Sequence, residues 1–145
     1  MIDSESIEIK DFHAWCFDQA ELLKSRKYEE IDINNLIEEV ESMGRHERDR
    51  LTSALRVLFM HLLKYIYQPT HRSKSWLLSI KEQRSQVKWL LDDSPSLDSC
   101  FDKCCAKAYY RARIEASDET GLSLKTFPKT IPFEVKDALK AGWLP

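Results

Sequence analysis

Glycine is scarce in this sequence, with only three among 145 residues. The chain therefore contains neither the G-x-G-x-x-G fingerprint of dinucleotide-binding proteins nor the G-x-x-x-x-G-K-[ST] sequence of the P-loop. No apolar run approaches the roughly 20 residues that a transmembrane helix needs. Residues 1–11 are acidic and lack the apolar centre of a signal peptide. These absences argue against both nucleotide-binding classes and against a membrane protein, and we expect a cytoplasmic location.

Cysteine is also sparse, and the four cysteines do not form a paired C-x-x-C motif. Without a secretory context we expect all four to be reduced. His13 and Cys16, together with Cys100 and Cys104, would be the only candidate zinc ligands at a suitable spacing. We interpret the cysteines as small buried apolar residues instead, and we expect no metal ion and no cofactor.

The longest apolar pattern runs from Arg45 to Gln68 and predicts a central helix. Its apolar residues recur at spacings of three and four: Leu51, Leu55, Leu58, Phe59, Leu62, Leu63 and Ile66. Such spacing places them on one side of a helix. Further apolar residues widen that side, which is typical of a helix buried by several neighbours. Gln68-Pro69 ends the pattern, because the residue before proline is disfavoured in helical geometry.

Shorter patterns predict the other helices. They are residues 11–25, 32–44, 74–91, about 96–117 and a short last helix over 133–141, with an extended segment over 122–131. The stripe Ile33, Leu36, Ile37, Val40 and Met43 continues in phase into the central helix. One continuous helix would be about 52 Å long, whereas a compact chain of this length is only about 40 Å across. We therefore expect a break at Gly44.

Together these elements predict an all-α fold. The expected architecture is a compact bundle of five main helices with a short C-terminal helix and an extended C-terminal arm. The length of 145 residues indicates a single domain over 1–145. Residues 1–10 contain few apolar side chains and are expected to be a flexible lead-in.

The net charge of −2 hides a strong segregation along the chain. Residues 1–44 contain 12 acidic and 4 basic residues, residues 45–91 contain 3 and 10, and residues 92–145 contain 9 and 8. An acidic third therefore precedes a basic middle. Either the two regions pack beside each other or the basic middle faces an anionic partner.

Short stretches along nearly the whole chain form a recognisable pattern. They are Asp11–Trp15, Asn35–Glu41 with Gly44 and Glu47, Met60–Tyr65 with Gln68-Pro69, Ser75-Trp76, Ser94–Leu97, Phe127-Pro128 and Pro132-Phe133. This pattern resembles the DUF29 family, a group of small bacterial helical proteins. The His61-Leu62-Leu63-Lys64 block is its most specific part. The resemblance implies an all-helical single domain and carries no agreed activity. Its pattern does not include Cys100, Cys104 or Cys105.

One carboxylate lies in an apolar helical stripe and needs a partner. Glu47 lies in phase with the apolar stripe, and Arg84 lies in the stripe of the helix over 74–91. A buried carboxylate must be paired or neutralised, so we predict a structural Glu47–Arg84 pair. Glu38 and Glu41 share a helix side and would be candidate Mg²⁺ ligands of a hydrolase. We favour a solvated acidic helix face instead, because no second acidic helix has a suitable spacing. His61 is a candidate acid–base residue or a hydrogen-bonded packing residue.

Basic residues give the remaining candidates for binding. Arg45, Arg48, His71, Arg72 and Lys74 would contact an anionic partner if they shared a surface.

Three functions are therefore considered. The first is a non-enzymatic protein-interaction or adaptor module that binds a second copy or another protein. The second is a nucleic-acid-associated protein that uses residues 45–91. The third is a metal-dependent phosphoester hydrolase that uses Glu38 and Glu41.

Overall fold

The protein is all-helical in a computed structural model that describes residues 8–145. Its α-helices are α1 (Phe12–Lys24), α2 (Ile33–Tyr67), α3 (Lys74–Asp93), α4 (Phe101–Thr120) and the short α5 (Val135–Ala138). No strand occurs within this range, and the all-α prediction is confirmed. Most of the predicted lead-in, residues 1–7, lies outside the described residues.

The helix ends follow from local chemistry. Asp11 and Ser73 precede α1 and α3, and each side chain accepts a hydrogen bond from a backbone N–H of the first turn. Pro95 opens a 3₁₀ segment, Pro95–Cys100, so α4 begins later than the predicted helix. Gly121 ends α4 with a φ of 72°, a left-handed conformation that glycine adopts without steric cost.

Gly44 does not interrupt the second helix, so the predicted break was wrong. Residues 33–67 form one helix of 35 residues, and Gly44 has no positive φ. A single glycine destabilises a helix by only about 1 kcal/mol relative to alanine. Its neighbours Met43 and Arg45 are good helix formers and add no comparable cost. The size argument assumed one compact body around this helix. The chain instead divides into two compact units, one ending at Arg45 and one running from His46 to Pro145.

The second unit contains the hydrophobic core. The α2 residues Leu51, Leu55, Leu58, Phe59, Leu62 and Leu63 are all 0% exposed, which confirms the predicted burial of the central segment. Ile80, Val87 and Leu90 of α3 join them, as do Cys104, Cys105, Ala108, Tyr109, Ala112 and Ala116 of α4. Each large side chain buried here contributes about 1.5–3 kcal/mol.

Two ion pairs connect α2 to α4 at the edge of this core. The Nζ of Lys64 lies 2.7 Å from a carboxylate oxygen of Glu119 and 4.7 Å from the ring centroid of Trp76. Arg56 lies 2.6 Å from Glu115. Both basic side chains are shielded, so these pairs fix how the two helices face each other.

The residues after α4 form the predicted extended arm over the second unit, with a 3₁₀ turn at Leu124–Thr126. Its backbone carbonyls accept hydrogen bonds from side chains of α4. Tyr109 donates to Pro128, Arg113 to Phe127 at 2.7 Å, and Ser117 to Leu122 at 2.7 Å. Phe127, in the arm, is 0% exposed and anchors it in the core.

Candidate interaction surface

A network of polar side chains lies inside the first unit, between α1 and the start of α2. The indole N–H of Trp15 donates to Asp32 at 3.1 Å, and the side-chain amide of Asn35 donates to the same carboxylate oxygen at 2.8 Å. The backbone N–H of Asp32 donates to the side-chain oxygen of Gln19 at 2.7 Å. The hydrogen bonds from Asn35, with the one from Trp15, lower the pKa of Asp32 despite the opposing effect of desolvation.

The polar residues of this network occupy the interior of the unit. Gln19 is 8% exposed and Asn35 is 6% exposed, and no apolar side chain of the first unit is buried as deeply within the described residues. Buried amides are normally rarer than buried aliphatic side chains. The most deeply buried side chains of this unit are therefore polar among its described residues, and hydrogen bonds at Asp32 connect α1 to the start of α2.

Apolar residues of α2 face the solvent instead. Ile33, Ile37, Val40 and Met43 are 54%, 49%, 59% and 61% exposed, and their spacings of four, three and three place them on one side of the helix. We call these four residues the α2 stripe. The sequence pattern grouped these four residues with Leu36 in a stripe that is in phase with the buried part of α2, but the four are exposed and Leu36 is half-buried. Asn35 lies on the opposite side of the helix, and it is this side that packs against α1.

Gly44 extends the α2 stripe by one turn beyond Val40. A Cβ atom built on Gly44 would have no heavy atom within 4 Å, so the fold itself does not require glycine there. Acidic side chains border the stripe on one flank, where Glu41 forms an exposed ion pair with Arg45 at 3.7 Å. Residues 8–44 contain ten acidic and four basic side chains, a net charge of −6.

The predicted Glu47–Arg84 pair does not form. Glu47 lies 3.3 Å from Arg50, one turn along the same helix. Arg84 donates from Nε to the carbonyl of Ala138 at 2.7 Å and from a terminal nitrogen to the carbonyl of Trp143. Glu47 sits near the exposed start of the second unit, whereas Arg84 fixes the C-terminal residues to α3. Desolvation lowers the pKa of Arg84.

His61 has the contacts of a packing residue. Its Nδ1 lies 2.8 Å from the carbonyl oxygen of Val57, and because a carbonyl only accepts, Nδ1–H is the donor. Desolvation is the main cause that lowers the pKa of His61. The imidazole is therefore neutral near pH 7 and is engaged within its own helix.

No three His, Cys, Asp or Glu residues converge as metal ligands within residues 8–145. Glu38 and Glu41 were the candidate Mg²⁺ ligands. Glu41 forms an ion pair with Arg45. No further acidic residue, histidine or cysteine among the described residues lies close enough to complete a metal site with the two glutamates. All four cysteines are free thiols, and Cys100 and Cys104 lie 3.8 Å apart between their sulfur atoms. Burial raises the pKa of Cys105 to about 12.

The predicted basic candidates are exposed, but several already have partners. Arg72 donates to the carbonyl of Tyr65 at 2.9 Å and stacks over the ring of that residue. His71 contacts the hydroxyl of Thr70 at 3.1 Å. Lys74 begins α3. Arg48 lines a groove together with Lys103 and Lys107 of α4. The sequence pattern had not grouped these α4 residues with Arg48.

Apolar periodicity alone does not reveal that the α2 stripe is exposed. Asn34, Asn35, Glu39 and Ser42 lie away from the stripe on the same helix. They give no further signal, because a helix that faces a core also carries polar residues opposite its apolar side.

Comparison with known proteins identifies the chain at family level only. The model of the family described as Domain of unknown function DUF29 matches residues 9–144. Neither the curated proteins nor the solved structures contain a match. Among residues 8–145, no helix combines the length and the apolar content that crossing a bilayer needs. The match covers nearly the whole chain, and the protein belongs to the DUF29 family.

Proposed function

We propose that the chain is a non-enzymatic protein-interaction module whose α2 stripe binds a basic amphipathic helix of another protein. One observation supports this proposal above the others. The first unit buries Gln19 and Asn35, whereas it exposes Ile37 and Val40 of the stripe. An exposed apolar patch with a polar border is typical of a protein-binding site.

The stripe would gain free energy from being covered. Its four side chains are each about half exposed. Completing their burial would contribute roughly 3–6 kcal/mol, taking half of the 1.5–3 kcal/mol for a fully buried side chain. The i, i+4, i+7 spacing suits a helix that lies along α2 and inserts its own apolar residues between these side chains.

Charge favours a basic partner over a second copy of the chain. Residues 8–44, which include the stripe, have a net charge of −6. A second copy would bring an equal negative charge against it, whereas a lysine beside the apolar face of a basic helix would meet Glu41, which borders the stripe. Four free cysteines are consistent with the reducing cytoplasm, where we place this interaction.

A designed peptide tests this proposal. The probe is a fluorescent leucine–lysine amphipathic helix of about 18 residues, and a leucine–glutamate peptide with the same spacing is its charge control. We expect saturable binding of the lysine peptide. Ile37→Ser combined with Val40→Ser should weaken it at least roughly 10-fold, since two partly exposed anchors lose about 1.5–3 kcal/mol.

The matched control is Leu77→Ser combined with Leu78→Ser, which removes two leucines of α3 that are 42% and 56% exposed. This variant should bind the lysine peptide normally. Equal weakening by both double variants, equal binding of the glutamate peptide, or no binding at all would reject the proposed partner. A mass that rises with concentration and is restored to that of a monomer by the Ile37/Val40 variant would identify a second copy as the occupant instead.

A further inference from the structure

A column of basic residues runs along the exposed side of α4 in the second unit. Lys103, Lys107 and Arg111 are spaced by four residues and are all exposed. None of the three forms an ion pair with any described residue. Like charges at this spacing repel each other and destabilise a helix. The fold therefore bears a cost that a bound anion would remove.

The column borders a polar groove between α2 and α4. Two cavities of about 300 Å³ each share Asp49, Thr52 and Lys107. Arg48 of α2 lines one of them beside Cys100. Desolvation raises the pKa of that thiol, and the positive charge of Arg48 opposes this rise. Arg56 and Glu115 in the other neutralise each other. The other charged residues that line the two cavities are four cations and one carboxylate, so the groove has a net charge of +3. The cations are Arg48, Lys103, Lys107 and Arg111, and the carboxylate is Asp49.

An exposed aromatic residue lies within the same face. Tyr110 is 70% exposed, and at 100° per residue it points within about 20° of Lys103. Its neighbour Tyr109 is buried and hydrogen-bonded to Pro128, so only Tyr110 is available to a ligand. An exposed aromatic ring among cations is the arrangement with which proteins hold single-stranded nucleic acids.

We propose that this face of α4, together with Arg48, binds single-stranded nucleic acid. Phosphates would lie along Arg48, Lys103, Lys107 and Arg111, and an unpaired base would stack on Tyr110. A duplex is a poorer ligand, because its bases are already stacked on each other and do not offer a free face to the tyrosine. This surface shares no residue with the α2 stripe, and its use does not depend on the interaction proposed for the stripe.

Salt dependence tests the phosphate contacts. The probe is a labelled single-stranded oligonucleotide of about 15 nucleotides, followed by fluorescence anisotropy. With four contacts and a slope of about −0.7 each, affinity should fall roughly 50-fold between about 50 and about 200 mM salt. Lys103→Gln with Lys107→Gln should reduce this fall to roughly 7-fold. A variant with the same charge change on α3, Lys74→Gln with Lys81→Gln, should retain the full dependence.

Tyr110 provides a test that charge alone does not explain. Tyr110→Ala should weaken binding roughly 5-fold or more, whereas Tyr110→Phe should bind like the unchanged protein. Ile37→Ser with Val40→Ser should have no effect on this binding. Absence of binding at low salt, equal losses in the α3 control, or an unaffected Tyr110→Ala variant would overturn the proposal. Equal affinity for inorganic triphosphate would also overturn it, because the site would then hold a small phosphate compound.

Discussion

The continuity of α2 through Gly44 can be tested by replacing that glycine with alanine. In a helix interior, glycine is less stable than alanine by roughly 0.5–1 kcal/mol, since it loses more backbone entropy on folding. A Cβ on Gly44 meets no heavy atom within 4 Å, and the residue has no positive φ. Neither a clash nor backbone strain therefore opposes the substitution. Gly44→Ala should stabilise the protein by about 0.5–1 kcal/mol, which raises Tm by roughly 2–4 °C.

Gly121 is the matched control. A Cβ there would also lie in open space, but its φ of 72° is left-handed. Alanine in that conformation costs roughly 1–2 kcal/mol. Both substitutions add a methyl group that meets no neighbouring atom. Opposite changes in the free energy of unfolding would therefore come from the backbone conformation alone. Gly121→Ala should destabilise the protein.

Urea denaturation followed by far-ultraviolet circular dichroism measures both changes, and hydrogen exchange of the amides around residue 44 shows whether the effect is local. Stabilisation by Gly44→Ala with increased local protection is the expected result. If Gly44→Ala destabilised the protein as Gly121→Ala does, the helix would be bent or interrupted at this position, and the outward phase assigned to the α2 stripe would be wrong.

Two further substitutions test the polar contacts within each unit. Arg84→Met should destabilise the second unit by roughly 2–3 kcal/mol, because the carbonyls of Ala138 and Trp143 lose a charged donor. Urea denaturation measures this change in the free energy of unfolding. A loss under about 0.5 kcal/mol would show that water replaces the guanidinium. The lowered pKa of Asp32 means that its stabilising effect is fully present above its ordinary pKa of 3.8 and is lost as the pH falls through the lower folded value. The protection factors of the amides at the start of α2, which correct each exchange rate for the intrinsic rate at that pH, should therefore fall as the pH is lowered below 3.8. Asp32→Asn should remove this dependence; an unchanged dependence in the variant would assign it to other carboxylates.

Much of the second unit could be predicted from sequence, because its apolar periodicity and its burial coincide. Leu55, Leu58 and Leu62 recur on one side of α2 and are all fully buried. Proline and glycine also mark real ends, since Pro69 follows α2 and Gly121 follows α4. Pairing was harder to predict. Arg84 lies in an apolar stripe as expected, but its partners are backbone carbonyls about 54 and 59 residues later, which no side-chain pattern reveals.

The first unit shows why periodicity identifies the apolar side of a helix without showing whether anything covers it. Ile33, Ile37 and Val40 continue the phase of Leu51 and Leu55, so the pattern offers no reason to separate them. The two groups of apolar residues differ in the helix that packs beside them. In the first unit that helix is α1, and its Trp15 and Gln19 form hydrogen bonds with Asp32. An aliphatic side of α2 could not form these hydrogen bonds. Because a buried polar group must find a partner, α1 packs against the polar side of α2 and leaves the apolar side uncovered. The same rule that stabilises this unit thus exposes the surface through which we expect it to bind another protein.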